Sequence, residues 1–520
     1  FWSTVADGGE VELGGVGEVL LNRTTARKIY TYRETNTNLT DSSNAFTEGN
    51  WSYLKPLLGT ETEDATKLLI NYVHGLDAYD DNYNTIRNEK RGWILGSFLH
   101  SRPFIIHYPD RTVLYGGAND GMLHAFDDET GEELWGFIPP CLLSRLKELH
   151  TDALADKLIF VDGSPKAYIS YDASGNLNRA ILIFGLRRGG NYYYALDVTN
   201  PLVPRYLWRI YKDRTQGSFT KYYQELGQTW SAPIIGKVPY GNQSTNPPGY
   251  KWVAIFGAGY DEGQDEDNPP SDDIGRGIYM ADVETGDCVW YHSYKGGDTN
   301  MTYCIPSDVT KLDIDGDGMI NRLYVGDANA RMWRFDIGDL NKNGYSDPNE
   351  WTGRIIFQSN PGLSEKRKIF YPPDVTLENG YEMLFFGTGD REDPKGDKDM
   401  DRIYAIKDKN ITAILKEAAD ANQPGLYDAT ADLLQEGTAD VQQIEQSKLD
   451  AAGGWFIKLD KQDGEKCLAS PVVFYRTAYF TAFAPTAGSV DDPCFVGEGV
   501  AWVYVIDYMN GKAVFNFDLT

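Results

Sequence analysis

A β-propeller is the fold class that this 520-residue chain predicts, and three observations lead to it. The composition is rich in aromatics and glycine, with 34 tyrosines and 53 glycines, which favours short strands and many turns. A four-part strand pattern returns six times along the chain. The third strand of each copy ends in a turn rich in Asp, Gly and Asn, as a strand entering a hairpin requires.

Taken in order, each repeat opens with a small residue and proline that lead into an apolar strand. These openings are "HSRPFII" at 100, "DGSPKAYI" at 162, "WSAPIIG" at 230, the looser "CIPSDVTKL" at 304, "YPPDVTL" at 371 and "LASPVVF" at 468. A second strand ending in glycine follows: "VLYGGANDG", "ILIFGLRRGG", "VAIFGAG", "LYVGDANA" and "LFFGTGD"; the last copy, "AYFTAFAP", lacks that glycine. The third strand runs into its turn as "LHAFDDETG", "YYALDVTNP", "IYMADVETG", "MWRFDIGDL", "IYAIKDKN" and "VYVIDYMNG". The fourth closes each unit as "EELWGF", "RYLWRI", "DCVWYH", "RIIFQS", "GWFIKLD" and "KAVFNF". Six such units in series predict an all-β propeller, with a two-sheet sandwich as the competing architecture. A seventh blade is a further expectation, since "RKIYTY" at 27 is a strand able to pair with the chain's end.

Inserted segments interrupt this plan. Ile411–Gly454, rich in Ala, Gln and Leu, predicts helices between the third and fourth strands of the fifth unit. "DEGQDEDNPPSDD", Asp261–Asp273, is too polar to pack and is expected on the surface. "GDREDPKGDKDMD", Gly389–Asp401, fits no metal spacing and is expected to be a solvated loop. Residues 1–90, with a helix at "DATKLLINYVHGL", read as a lead-in from an upstream domain with a strand to offer the propeller; residues 91–520 read as the propeller itself. The chain opens at Phe1 without methionine or a signal-peptide pattern, which marks it as a portion of something longer.

The formal charge is −27, from 49 Lys and Arg against 76 Asp and Glu. This excess disfavours nucleic acid and anionic bilayers as partners and suits divalent cations. No apolar run approaches the ~20 residues of a membrane helix, so no membrane insertion is expected. The five cysteines show no metal spacing. Either two local pairs form in an oxidising compartment, Cys288 with Cys304 and Cys467 with Cys494, leaving Cys141 over, or all five remain buried thiols.

The densest chemistry lies in "LDIDGDGMIN", Leu312–Asn321. Calcium takes several oxygen ligands from a compact loop, and alternate aspartates aim carboxylates at one centre while glycines allow the bend. Asp313, Asp315 and Asp317 occupy the first, third and fifth positions, Met319 offers a backbone carbonyl at the seventh and Asn321 stands ninth. Tyr324 is twelfth, so the bidentate glutamate of a helix-loop-helix site is missing, and the loop joins two predicted strands. A metal-free Asp-Gly turn is the alternative, although a plain hairpin has no use for three carboxylates that repel one another. A second stretch, "DLNKNGYSDPNE", fits the D-x-[DN]-x-[DN]-G-x5-E calcium pattern with Asp339, Asn341, Asn343, Asp347 and Glu350, and with the Tyr345 carbonyl. Asn-Gly and Asp-Pro also turn without a metal.

"AFDDETGEELW", Ala125–Trp135, resembles the A-x-D-x-x-T-G-x-x-x-W docking repeat of quinoprotein propellers, and "DVETGDCVW" keeps part of it. In that motif Thr-Gly makes the turn and tryptophan staples neighbouring blades, so it reports architecture first. The chain has no vicinal Cys-Cys pair, G-x-S-x-G elbow, P-loop or HExxH, and its six histidines are scattered. Catalysis is therefore unsupported by the residues. Two rival readings stand beside a binding protein: a periplasmic quinoprotein-like oxidoreductase holding pyrroloquinoline quinone through calcium, and a carbohydrate-binding propeller.

Several stretches together resemble the C-terminal propeller of the PilC/PilY proteins of type IV pili. They are "YGGANDGMLHAFDDETGEELWGFIPPCLLSRLKEL", "FVDGSP", "GGNYYYALDVTNP", "LGQTWSAPIIGKV", "LDIDGDGMINRLYVGDANARMWRFD" and "GTGDRED". The resemblance runs from about "RKIYTY" to the end. It implies a modified seven-bladed propeller at the bacterial surface, at the pilus tip, exported through the periplasm and outer membrane. Its implied partners are minor pilins and the pilus assembly machinery, with an unspecified host or abiotic surface ligand; its implied roles are pilus assembly, adhesion and twitching motility. An aspartate-rich loop in that family binds calcium and tunes extension against retraction, which here implies Asp313, Asp315, Asp317, Met319 and Asn321, the last where aspartate is common. Some members carry Arg-Gly-Asp; this chain does not, so integrin binding is not implied.

Overall fold

The computed structural model describes residues 2, 14–151, 158–217, 220–265, 271–359, 367–395, 399–410, 412–419, 424–486 and 499–514. The chain divides into two compact units, Phe1–Ile235 with Ala281–Cys288, and Gly236–Met280 with Val289–Thr520.

The four strands of each of the first five predicted repeats lie in one sheet, and the first three strands of the sixth lie in another. Sheet 1 consists of β1 (Ile29–Tyr30), β2 (Phe104–His107), β3 (Thr112–Gly117), β4 (Leu123–Asp127) and β5 (Glu133–Phe137), in the order β1-β5-β4-β3-β2. Sheet 2 runs β6 (Lys166–Tyr171), β7 (Leu177–Gly185), β8 (Tyr193–Asp197) and β9 (Arg205–Ile210). Sheet 3 runs β10 (Ile234–Pro239), β12 (Tyr250–Gly257), β13 (Gly277–Asp282) and β14 (Cys288–Ser293), with β11 (Gly241–Asn242) outside it. Sheet 4 runs β15 (Thr310–Leu312), β16 (Arg322–Gly326), β17 (Arg331–Asp336) and β19 (Thr352–Gln358), while β18 (Tyr345–Ser346) pairs with β11. Sheet 5 runs β20 (Asp374–Glu378), β21 (Tyr381–Gly387), β22 (Arg402–Asp408) and β25 (Gly454–Lys458), edged by β24 (Tyr427–Asp428); β23 (Leu415–Lys416) adds to sheet 4 instead. In sheet 6, β26 (Lys466–Cys467), β27 (Val472–Phe474) and β29 (Gly499–Asp507) all pair with β28 (Thr477–Pro485). These six sheets, each formed by consecutive strands, are the blades of a propeller. The seventh blade that the resemblance implies is not among the described residues.

The recurring Asp-to-Gly turn has one cause. The carboxylates of Asp127, Asp282 and Asp507 each accept two backbone N–H groups from the turn that follows. Gly131, Gly286 and Gly511 then donate back to the carbonyls of those aspartates with φ of 72°, 67° and 76°, a region that favours glycine. The fourth-strand tryptophan reaches the turn of the next sheet. Trp135 Nε1 donates to the Pro201 carbonyl at 2.7 Å, Trp208 to Val283 at 3.0 Å and Trp455 to Tyr508 at 3.1 Å. Around these staples lie apolar layers, one shared by sheets 1 and 2 and centred on Tyr115, Trp135, Phe184 and Tyr194. Another, shared by sheets 5 and 6, includes Phe385, Trp455 and Phe480.

The lead-in folds onto sheet 1. Helices α1 (Gly15–Asn22), α2 (Trp51–Leu58) and α3 (Glu63–His74) precede the first full hairpin. α3 starts at Thr62, whose hydroxyl accepts the Ala65 N–H, and stops at Gly75 with φ of 103°. Its Leu69, Ile70 and Val73 pack with Leu54 and Leu58 of α2 against Met122, Ile138 and Leu146. Arg27, just before β1, forks onto Glu133 at 2.8 and 2.7 Å. Glu133 also meets His124 Nδ1 at 2.9 Å, and His124 Nε2 meets Asp120 at 3.0 Å. Burial pushes the His124 imidazolium down, but the Asp120 and Glu133 carboxylates outweigh it and raise its pKa to about 9. Burial pushes the Glu133 carboxyl up, and Arg27 and His124 more than offset this, holding it well below the usual carboxylate range.

Several expectations are corrected. "RKIYTY" supplies β1, which lies parallel to β5 with Ile29 opposite Gly136 and Arg27 anchored to Glu133 on that edge; the last six residues of the chain lie outside the described residues. The inserted segment 411–454 is only partly helical, with α5 (Leu433–Glu436) and α6 (Ala439–Ala451); its earlier part supplies β23 and β24, parallel to β19 and β25. (α4 is the short turn Glu148–Thr151.) The Asp261–Asp273 loop is not wholly on the surface: Gln264 and Asp272 are buried, and Asp272 accepts Gln264 Nε2 at 2.7 Å and the Cys304 N–H. The Gly389–Asp401 run is likewise not simply solvated, since Asp390 is buried against Lys368 at 2.7 Å and Asp401 is fully buried. Cys288 and Cys304 are free thiols and not a disulfide. Cys494, and residues 515–517 of "KAVFNF", lie outside the described residues.

Candidate metal centre

Residues 313–321 connect β15 to β16, which pair from Leu312–Arg322 to Thr310–Tyr324. The loop is wound by its own side chains. Asp313 accepts the N–H groups of Gly316 at 2.7 Å and Gly318 at 2.8 Å; Asp317 accepts that of Met319 at 2.7 Å. Gly316 and Gly318 have φ of 77° and 84°, and a Cβ at either would meet nothing within 4 Å, so backbone conformation and not space asks for glycine. Asn321 Oδ1 accepts the Ile314 N–H at 2.6 Å, and its main chain bonds to Leu312 and Ile337.

This winding draws Asp313, Asp315 and Asp317 together, with one carboxylate oxygen of each within 4.8 Å of the others. Among the described residues this is the group of acids, histidines or cysteines so gathered. Burial and the neighbouring Asp315 and Asp313 charges raise the Asp317 carboxyl. Asp313 moves the other way, because the N–H groups of Gly318 and Gly316 outweigh its burial. Asp315 and Asp317 are largely exposed to solvent. Three anionic oxygen donors on one wound loop, with carboxylate lone pairs beyond those already used, fit a hard divalent cation. Asn321, ninth in the loop, holds its start through the Ile314 N–H, and the Met319 side chain is buried.

The second stretch is built differently. Asp339 accepts the N–H groups of Asn343 at 2.9 Å and Gly344 at 2.7 Å, and Asn343 Oδ1 accepts that of Tyr345. Asp347 caps the short turn Pro348–Glu350 by accepting the Asn349 N–H. Asp339, Asp347 and Glu350 do not gather as the first trio does. Asn341 is exposed, and Tyr345 is committed to the short ladder with Asn242.

Sequence reasoning missed what lies directly behind the first loop. Arg322 faces Asp336 across the β16–β17 ladder, and Tyr324 faces Arg334. Arg322 bonds Asp336 at 3.0 Å and also Glu382 of β21. Arg334 Nη1 and the Tyr324 hydroxyl converge on Asp408 of β22 at 2.8 and 2.7 Å. The signal was present as charged residues at alternate positions of otherwise apolar strands, "RLYVG" and "RMWRFD". The histidines each lean on a neighbour: His74 on the Phe46 carbonyl, His100 on Asp162, His107 on Thr112, His150 on Asp81 and His292 on Asp298.

A β-propeller in which one blade carries a loop of three gathered carboxylates between two of its strands is the class of protein that fold and site define. The chain matches the family described as the PilY1 β-propeller domain over residues 107–438, more than half its length. It therefore belongs to that family. A type IV pilus biogenesis factor PilY1 homologue of Xylella fastidiosa is 28% identical over 433 residues, covering 77% of this chain and 26% of that protein. The type IV pilus biogenesis factor PilY1 of Pseudomonas aeruginosa strain PAO1 is 24% identical over 448 residues, covering 78% and 35%. The chain thus spans about a quarter to a third of the length of these curated relatives. The crystal structure of the Pseudomonas aeruginosa PilY1 C-terminal domain shares the fold, with a TM-score of 0.52 at 20% identity, covering 78% of this chain and 81% of that one.

Proposed function

We propose that this chain is a calcium-binding propeller module of a protein that acts in type IV pilus biogenesis, working through protein contacts without chemistry of its own. The observation that carries the calcium reading is the convergence of Asp313, Asp315 and Asp317 on one loop; the pilus reading rests on the family and on the printed names of its relatives. Asp313, Asp315, Asp317, the Met319 carbonyl and Asn321 would hold the ion. A divalent ion supplies cancellation of the repulsion among the three carboxylates and pins the loop in place. The stabilisation grows with free calcium relative to the dissociation constant. Control of extension and retraction, twitching motility, surface adhesion and contact with minor pilins at the pilus tip belong to the same proposal.

The test has two arms. The purified chain is titrated with calcium chloride by calorimetry, and the full-length protein carrying Asp317→Ala replaces the native one in its bacterium, with surface pili and twitching zones measured. Heat of binding, and a variant with altered pilus number or motility, are expected. No heat and an unchanged variant would remove the reading. Added pyrroloquinoline quinone is expected to acquire no bound absorbance.

A further inference from the structure

The residue after the last candidate ligand is the one that reaches the neighbouring sheet. Arg322 follows Asn321, and its guanidinium spans Asp336 on its own sheet and Glu382 on sheet 5. Two positions along, Tyr324 and Arg334 close on Asp408. Arg322 and Asp336 are directly opposed across one ladder, as are Tyr324 and Arg334, while Glu382 and Asp408 are opposed across the β21–β22 ladder. Two opposed pairs on sheet 4 therefore clasp one opposed pair on sheet 5. The clasp sits over an apolar layer that includes Tyr324, Met332, Leu384, Phe386 and Ile406. Its side chains are largely withdrawn from water, those of Arg334 and Asp408 to 2% exposure each. Charges so placed hold firm geometry, because losing one partner leaves the other buried and uncompensated.

Asn321 is bound three ways: its N–H to Leu312, its carbonyl to the Ile337 N–H and its side chain to the Ile314 N–H. Moving the Asn321–Arg322 peptide to suit a cation thus moves the root of the clasp, and holding the clasp holds the ligand. The clasp presents two carboxylates, Asp336 and Glu382, to the guanidinium of Arg322.

We infer that cation binding at Asp313–Asn321 and the clasp between sheets 4 and 5 are one coupled device, with Arg322 and Glu382 as positioning residues for the last ligand. The inference rests on the calcium reading above. Coupling of this kind is reciprocal: the factor by which calcium tightens the clasp is the factor by which the clasp tightens calcium. The ion then braces two blades and not one hairpin, so that a surface formed by sheet 5 can respond to free calcium.

Amide hydrogen exchange of the chain with and without calcium chloride, beside calorimetry of wild type and Glu382→Gln, tests this. Calcium is expected to slow exchange in Tyr381–Gly387 and Arg402–Asp408 as well as in the loop. Glu382→Gln is expected to bind calcium at least about 5-fold more weakly, with protection confined to the loop. Calcium bound by the wild type with no change in β21 and β22 would overturn the coupling while leaving the site intact, and so would an unchanged affinity in Glu382→Gln. No binding to the wild type would remove the site and the coupling together. The wild-type exchange comparison needs no variant, so a misfolded Glu382→Gln does not decide the matter.

Discussion

Alkaline solution is expected to loosen the first unit through a single imidazole. His124 is fully buried between Asp120 and Glu133, and Glu133 is held by Arg27. Its pKa rises from the ordinary 6.5 to about 9. At about 1.4 kcal/mol for each pH unit, that difference is on the order of 3 kcal/mol of folding stability. The sign follows from which state holds the proton. The folded state keeps His124 charged to a higher pH than the unfolded chain does, so the contribution is complete below about 6.5 and is lost as pH rises through about 9. Glu133 works at the other end: its depressed carboxyl contributes above the ordinary Glu range and is lost only in strong acid. His74, whose imidazole burial pushes down, stays neutral across the alkaline window, and Arg27 stays charged. Thermal unfolding at pH 6.5 and 9.5 is the assay, with His124→Gln as the non-titrating comparison. For a unit of this size the wild type is expected to lose roughly 5 to 10 °C more than the variant over that interval. Equal melting temperatures at both pH values, or an equal drop in His124→Gln, would refute the reasoning.

Further outcomes follow from other contacts. Asp313→Asn removes a charge from the loop and is expected to weaken calcium by at least the roughly 10- to 100-fold that loss of an outer partner costs a metal site, read by calorimetry. Gly318→Ala, with φ of 84° and open space around the new Cβ, is expected to cost about 1–2 kcal/mol in urea unfolding, and Gly318→Asn less. Trp135→Phe orphans the buried bond to the Pro201 carbonyl and is expected to lower stability by about 1–3 kcal/mol, seen as an earlier urea midpoint.

The blades were legible because each repeat states its strands twice, in alternating side chains and in turn residues. Asp127 with Gly131 and Asp282 with Gly286 announce their hairpins within five residues, so local chemistry suffices. The aspartate loop was legible for the same reason, since its ligand candidates are contiguous. The partner of β1 was not, because a two-residue parallel strand finds its place through Arg27 and Glu133, 106 positions apart. The Arg322 clasp was hidden similarly: Glu382 and Asp408 become its partners only once two sheets have stacked. Composition also misled. Asp272 and Asp390 sit in runs that look solvated, yet each is buried by a partner from outside its run, Cys304 for one, beside Gln264 within it, and Lys368 for the other. Charged residues within apolar strands mark that a pairing exists, but their spacing does not name the partner.

The tryptophan staples carry a consequence for how the chain is made. Each of Trp135, Trp208 and Trp455 bonds to a turn that is synthesised roughly one blade later, so a finished sheet need wait only for its immediate successor. Contacts between sequential neighbours keep loop-closure costs low and let order spread from one end, as in repeat proteins. A chain emerging from a ribosome or a membrane pore amino end first can thus dock its blades one after another. β1 is the exception, since its edge does not exist until Gly136 and Phe137 have followed it out.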